Sequence, residues 1–469
     1  MHPDDPLVRD AAIALLAGDW TGDGMTNRLV QLFSLSTRQK WIETLVAKLL
    51  AHFGPHPPTP RQPILAGFLA NEPGFCRAIG RLKSQFEKLA PPESIDSPGL
   101  TDVLGLPFPG MNPDPAIRGT DRLPPLVTSG VLADWLGVSL GQLDWFADCH
   151  GRERSLPAGK LRHYRYRWMA KSGGRQRLVE CPKPRLKQFQ RQILNQVLTP
   201  ITAHSAAHAF QSGRSTLSGA DPHVGQRVVL RIDLCDFFPT IRSSRIHGLF
   251  HSLGYPDRIA QLLTGLCTNS VPEDVFPEQG GDGRRYFLRQ LFGQPHLPQG
   301  APTSPALANL CAFRLDCRLA GLARTVGARY TRYADDLVFS GDHDFERSLP
   351  RFRIFACAIV LAEGFAIRHR KTRVMRSGAR QTVTGLVVNR RINVDRTTYD
   401  HLKAILHNCR REGPASQNRE RHPRFREHLQ GRIASLRMVH PERGDRLQRE
   451  FDAIVWPESD RAGEMMQFD

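Results

Sequence analysis

Residues 331–340 read TRYADDLVFS. Tyr330, Tyr333, Leu337, Val338 and Phe339 favour a half-buried strand, yet Asp335 and Asp336 put two carboxylates in its middle. Holding neighbouring like charges away from water is unfavourable unless something positive compensates them. One Asp-Asp dipeptide is ordinary turn chemistry. A second acidic site changes the reading: VVLRIDLCDFFPTI (228–241) sets Asp233 at the end of an apolar strand, just before Phe237 and Phe238. Three carboxylates from two strand ends suit hard divalent cations, which take oxygen ligands. Two such ions about 3.5–4 Å apart form the clamp used for in-line phosphoryl displacement.

The charge balance agrees. The 469 residues carry 64 Lys and Arg against 46 Asp and Glu, a formal net charge of +18. That excess points to a polyanionic partner, nucleic acid before anionic membrane. Residues 1–120 are nearly neutral, with 11 basic and 12 acidic side chains, whereas Arg368–Glu450 holds 21 basic against 8 acidic. The polyanion is therefore expected on the later part of the chain. Nine cysteines lie singly with no CxxC pair, which fits reduced thiols in a cytoplasm. The acidic start MHPDDPLVRD has no basic flank before an apolar core, and the longest apolar run, FACAIVLA (355–362), is too short to span a bilayer. No membrane partner is expected.

Helical spacing of Val8, Ala11, Ala12, Leu15 and Leu16, and again of Leu29, Leu32, Trp41, Leu45 and Leu49, predicts helices over 8–52, resuming at 65–89 after a proline cluster. The Pro- and Gly-rich stretch 91–125 reads as a linker. Residues 126–150 read as two short helices. Alternation around Gly173-Gly174 in HYRYRWMAKSGGRQRLVECPKP predicts a basic β-hairpin, followed by a helix at 184–201 and a strand at 226–234. Residues 304–324 read as one helix, with Ser304 as N-cap and Pro305 at its first position. The order suggests an α+β domain with an antiparallel sheet.

Seven stretches, in one order, resemble the reverse transcriptases, and more narrowly those of bacterial retrons: RQRLVECP (175–182), LKQFQRQIL (186–194), RIDLCDFFPTI (231–241), LPQGAPTSPALANL (297–310), RYADDLVFS (332–340), EGFAIRHRKTRV (363–374) and RQTVTGLVVN (380–389). The resemblance implies a right-hand polymerase of fingers, palm and helical thumb, preceded by a mostly helical extension. The expected divisions are an extension of unknown role at 1–90, a linker at 91–125, fingers and palm at 126–390, thumb at 391–450 and a tail at 451–469.

It also implies roles. Asp233, Asp335 and Asp336 would hold two Mg2+ ions, with Mn2+ a possible substitute, the last Asp being the weaker ligand. Phe238 would be the aromatic gate beneath the sugar, unless Phe237 exchanges roles with it. Lys171 and Arg177 would clamp the deoxynucleoside triphosphate, Gln299 and Gly300 would lie along its pocket, and Lys371 would protonate the leaving pyrophosphate.

Two elements narrow the likeness to retrons. Val383-Thr384-Gly385 is intact, while Gly219-Ala220-Asp221-Pro222-His223 keeps Ala and His of an Asn-Ala-x-x-His element but has Gly for Asn. With His223, they would recognise RNA, alongside the thumb arginines Arg410, Arg411, Arg424, Arg426 and Arg432. The family's task is to copy a structured noncoding RNA from a 2′-hydroxyl of that RNA, giving branched RNA–DNA (msDNA) in an antiphage module with an effector protein. A group II intron-like or abortive-infection reverse transcriptase, and an RNA-binding scaffold without polymerase activity, stand as alternatives.

Overall fold

The computed structural model describes residues 2–3, 5–16, 20–33, 37–58, 61–87, 111–170, 176–277 and 282–457. The chain divides into two compact units, 1–202 with 238–311, and 203–237 with 312–469.

The first unit opens with helices Pro6–Leu16, Gly22–Leu32, Lys40–Phe53, Arg61–Asn71 and Pro73–Glu87. They share one apolar core that includes Leu69, Phe75 and Ile79 together with Val8, Leu15, Leu29, Leu45 and Leu49, whose spacing predicts helices. Arg28 closes the first helix by donating from Nε to Ala14 O (2.8 Å) and from Nη2 to Leu15 O (3.0 Å), carbonyls that a helix C-terminus leaves unpaired. The linker reading does not hold for residues 111–125. Asn112 N and Asp114 N donate to Gly254 O and Ser252 O, and Leu123 is buried. Residues 91–110 lie outside the described residues.

Two short helices follow, Ser129–Leu136 and Leu140–Ala147. Strands β1 (Tyr164–Ala170) and β2 (Gln176–Pro182) then form an antiparallel hairpin, from Tyr164↔Pro182 to Ala170↔Gln176. Leu178, Val271, Phe276, Leu288, Leu291 and Phe292 pack beneath it.

The second unit is built on a sheet of order β4-β5-β3-β6, with β7 also paired to β3. Its strands are β3 (Val228–Cys235), β4 (Arg329–Tyr333), β5 (Asp336–Gly341), β6 (Ala366–Ile367) and β7 (Arg373–Arg376). All its pairings are antiparallel, so the α+β expectation holds. Six of the eight β3 residues are buried, as a central strand covered on both faces requires. Helix His343–Ala362 packs alongside. Asp342 caps it by accepting from Asp344 N and Phe345 N.

The single helix expected at 304–324 is two, Ser304–Cys311 and Phe313–Thr325, broken at Ala312, where ψ is 1°. Apolar spacing runs through this break without Gly or Pro to mark it. Ser304 does not act as a cap residue ahead of the helix. It is the first helical residue, and its hydroxyl donates to Pro298 O (2.6 Å). A small hairpin, β8 (Thr382–Val383) and β9 (Leu386–Val387), leads to helices Arg396–Glu412, Phe425–Val439 and Pro441–Asp452. Their core contains Leu402, Leu406, Leu429, Ile433, Leu436, Leu447 and Phe451.

Candidate active site

Asp233 and Asp336 are register partners on β3 and β5, and Asp335 lies in the β4–β5 turn between Tyr333 and Asp336. The predicted carboxylates are therefore brought to one end of one sheet. Each finds a different electrostatic setting. The Asp233 side chain is 3% exposed and receives Arg368 Nη1 at 2.9 Å and Lys371 Nζ at 3.3 Å. The Arg368 amide also donates to Asp233 O at 2.8 Å. Asp336 is held by Arg231, with Nε to Oδ1 at 2.9 Å and Nη2 to Oδ1 and Oδ2 at 2.8 and 2.7 Å.

Arg231 lies two residues before Asp233, hence on the same face of β3, and reaches the carboxylate diagonally across the strands. Asp335 makes no ion pair among the described residues. Burial, and then the charge of Asp233, push its pKa above the ordinary 3.8, against the pull of Lys371 and Arg368. Burial also raises Asp336, opposed by Arg231. The donor set is all carboxylate, the chemistry of a hard divalent cation. Among the described residues no group of three His, Cys, Asp or Glu side chains is arranged to hold an ion as it stands; cationic side chains bond the oxygens of Asp233 and Asp336.

In the first unit, Gln299 and Gly300 lie against β2. Glu180 N donates to Gln299 O (2.9 Å), and Gln299 N donates to Glu180 Oε1 (3.4 Å). The fully buried Glu180 carboxylate also accepts Asn269 Nδ2 at 2.7 Å and bonds His296 Nε2 at 3.0 Å. Gly300 has φ +139°, and a Cβ there would meet Glu180 O at 2.7 Å. Its close backbone approach is thus to β2. Phe237 is buried against Phe365, with ring centroids 5.5 Å apart, whereas Phe238 is half-buried. Arg177 is exposed on β2, opposite Met169. Lys171 and the Gly173-Gly174 turn lie outside the described residues.

Two expected RNA contacts are corrected. His223 is fully buried, with Nδ1 2.6 Å from Ser340 Oγ and Nε2 2.7 Å from Thr331 Oγ1. Thr331 spends its only hydroxyl proton on Gly219 O (3.0 Å). Nε2 must therefore carry the ring proton, and Nδ1 accepts from Ser340. Burial, followed by Arg329 and His208, pushes the His223 pKa down to about 3, so the ring is neutral. Val383 is fully buried in a core with Ala220, Val229, Val338, Leu386 and Val388. Neither side chain offers a surface to RNA, because both knit the retron-like elements into the sheet.

The Thr384 hydroxyl lies 2.8 Å from Val383 O and 3.1 Å from Thr216 O, the latter on the short helix Thr216–Ala220 that runs into the Gly219–His223 element. Thr384 and Gly385 turn with φ +50° and +83°. At Gly219 a Cβ would lie 3.3 Å from His208 Cβ, so the glycine admits a close approach of His208. Of the thumb arginines, Arg410 bonds Glu450 at 3.2 Å and Arg411 bonds Glu412 at 2.6 Å. Arg424 is exposed, and Arg426 and Arg432 are half-buried. Sequence reasoning missed Arg231, Arg368 and Glu180. The first was legible from strand period alone, and Glu180 from the inward positions of β2.

A family model for reverse transcriptase (RNA-dependent DNA polymerase) matches residues 169–402. The retron Mx65 reverse transcriptase of Myxococcus xanthus is 42% identical over 337 residues, covering 72% of this chain and 74% of that one. The chain belongs to the retron reverse transcriptases. Retron Mx162 reverse transcriptase of the same organism is 36% identical, covering 68% of this chain and 65% of that one. Retron Ec86 reverse transcriptase of Escherichia coli is 34% identical, covering 50% and 65%. The enzyme is an RNA-directed DNA polymerase, a family that works with divalent metal ions.

A carboxylate whose pKa is raised by folding supports the fold only below its unfolded value, 3.8 for Asp335, and that support is lost as pH rises through the folded value. Asp335→Asn should therefore raise the thermal midpoint at pH 7 in chelator by about 2–4 °C. Calorimetric scans at falling pH should show the difference shrinking towards pH 4. His223→Ala should cost about 1–3 kcal/mol per polar group left unpaired, seen in denaturant unfolding, while RNA affinity per folded molecule stays unchanged.

Proposed function

We propose that the enzyme copies a structured noncoding RNA of its own retron into DNA, starting from a 2′-hydroxyl of a guanosine in that RNA. The product is branched RNA–DNA, msDNA, and the complex serves antiphage defence with an effector protein. The observation that carries the polymerase part is the register pairing of Asp233 with Asp336 beside Asp335. The retron part is supported by the relatives and by the joint core of Ala220 and Val383. Priming and branching come with the family resemblance.

Asp233, Asp335 and Asp336 would hold two Mg2+ ions, replaceable by Mn2+, which supply a lowered pKa for the attacking hydroxyl and charge neutralisation for the leaving pyrophosphate. Asp336, already gripped by Arg231 through three bonds, is the weaker ligand. Lys371, ion-paired to Asp233 at 3.3 Å, would give a proton to the leaving pyrophosphate. Lys171 and Arg177 bind the triphosphate, Gln299 and Gly300 line its pocket, and the half-buried Phe238 crowds a 2′-hydroxyl on the incoming sugar.

Thumb arginines Arg410, Arg411, Arg424, Arg426 and Arg432 follow the nucleic-acid backbone, and Thr384 and Gly385 meet structured RNA. The setting is the cytoplasm. All nine cysteines are free thiols, and no described helix is long and apolar enough to cross a membrane.

The test is to express the chain with its upstream DNA and analyse the extracted nucleic acid. Branched RNA-linked DNA is expected from the wild type and none from Asp335→Asn with Asp336→Asn. Wild-type extension of an ordinary primer with no branched product would favour a group II intron-like enzyme instead. Replacing Arg410, Arg411 and Arg424 by Ala should flatten the plot of log affinity against log salt by roughly 2–3, since each lost phosphate contact removes about 0.7–0.9.

A further inference from the structure

Three residues before Asp335 the chain buries a full positive charge. Arg332 and Asp316 are each 0% exposed. The guanidinium meets the carboxylate with two bonds, Nε to Oδ1 at 2.8 Å and Nη2 to Oδ2 at 2.6 Å. Tyr330 adds a third, its hydroxyl donating to Asp316 Oδ1 at 2.7 Å. The Arg332 backbone is fixed as well: its amide donates to Ala206 O (2.7 Å) and its carbonyl accepts from His208 N (2.8 Å). The face of the guanidinium lies over Phe237, 5.8 Å from the ring centre.

A buried ion pair is weak evidence for stability, because apolar side chains of similar volume often serve as well. The geometry gives this one another task. Arg332 Nη1 donates to Ala334 O at 3.3 Å. Ala334 has φ +55°, a conformation that L-residues other than Asn and Asp seldom adopt. The next carbonyl, that of Asp335, accepts from Leu234 N at 2.9 Å. The peptide planes on both sides of Asp335 are thus held, one by a buried guanidinium and one by β3. Fixing both planes fixes the backbone angles of Asp335 and with them the direction in which its carboxylate leaves the turn.

We propose that Arg332 is a positioning residue for catalysis: clamped by Asp316, it holds the Ala334 carbonyl and so aims the carboxylate of Asp335. Arg332 touches neither substrate nor the reacting atoms. It acts through the turn. Asp316, on helix Phe313–Thr325, is the fixed post to which the turn is tied.

The double variant Arg332→Met with Asp316→Leu replaces the pair by apolar side chains. Arg332→Lys keeps the buried charge but lacks the planar fork needed to serve Asp316 and Ala334 together. Both are assayed on an artificial primer–template, with the wild-type enzyme as reference, so the result does not depend on a branched product. Melting curves and circular dichroism show which variants are folded, and Mn2+ binding is read by electron paramagnetic resonance without turnover. In either folded variant kcat should fall at least tenfold while KM for the deoxynucleotide changes less than twofold. Half-saturation by Mn2+ should rise at least threefold. A folded Arg332→Lys or double variant with kcat and Mn2+ binding within twofold of the wild type would overturn the proposal. So would an equal loss confined to KM.

Discussion

Asp233 and Asp336 face each other across β3 and β5, and two carboxylates in that relation repel unless cations stand close to both. Much of the surrounding chemistry follows from that constraint. Arg231 answers Asp336 from β3, the strand of Asp233, while Arg368 and Lys371 answer Asp233 from the segment after β6. The same three cations compete with any metal for those oxygens, so they set a threshold that ion binding must exceed. Asp335, with no such partner among the described residues, keeps its charge only against the opposition of burial. The site is thus balanced between internal cations and external ones, a cost in stability that active sites commonly carry.

The sheet was legible because its signals are local. β3 and β5 announce themselves by strand formers around acids, and the hairpin of β1 and β2 by alternation around Gly-Gly. The long-range partnerships were not legible. Glu180 meets His296 across 116 positions of sequence, and His223 meets Ser340 across 117. Nothing in a strand's own pattern names a partner so far away. The break at Ala312 escaped for a different reason, since an apolar stripe records which residues are buried and says nothing of a ψ angle that departs from helical. A histidine just before a catalytic strand suggests an exposed role until its two hydroxyl partners are known.

The Gly219–His223 and Val383–Gly385 elements are not appendages. Ala220 and Val383 share a core with Val229 of β3 and Val338 of β5, the strands that carry Asp233 and Asp336. The Thr384 hydroxyl lies 3.1 Å from Thr216 O, on the short helix that runs into the other element. A change in Ala220 or Val383 is felt by the catalytic sheet through packing.

The bonds through His223 have a direction. Ser340 gives its proton to the ring, the ring gives one to Thr331, and Thr331 gives one to the Gly219 carbonyl. Only the last acceptor is a backbone group with no proton to pass on, so the whole chain can be written in one sense alone. Such a one-way circuit has no second tautomer to share population with. It orders β4, β5 and the short helix Thr216–Ala220 into a single arrangement. Valine, nearly the shape of threonine, would at position 331 break the circuit at its midpoint and leave the histidine proton and the glycine carbonyl stranded on either side.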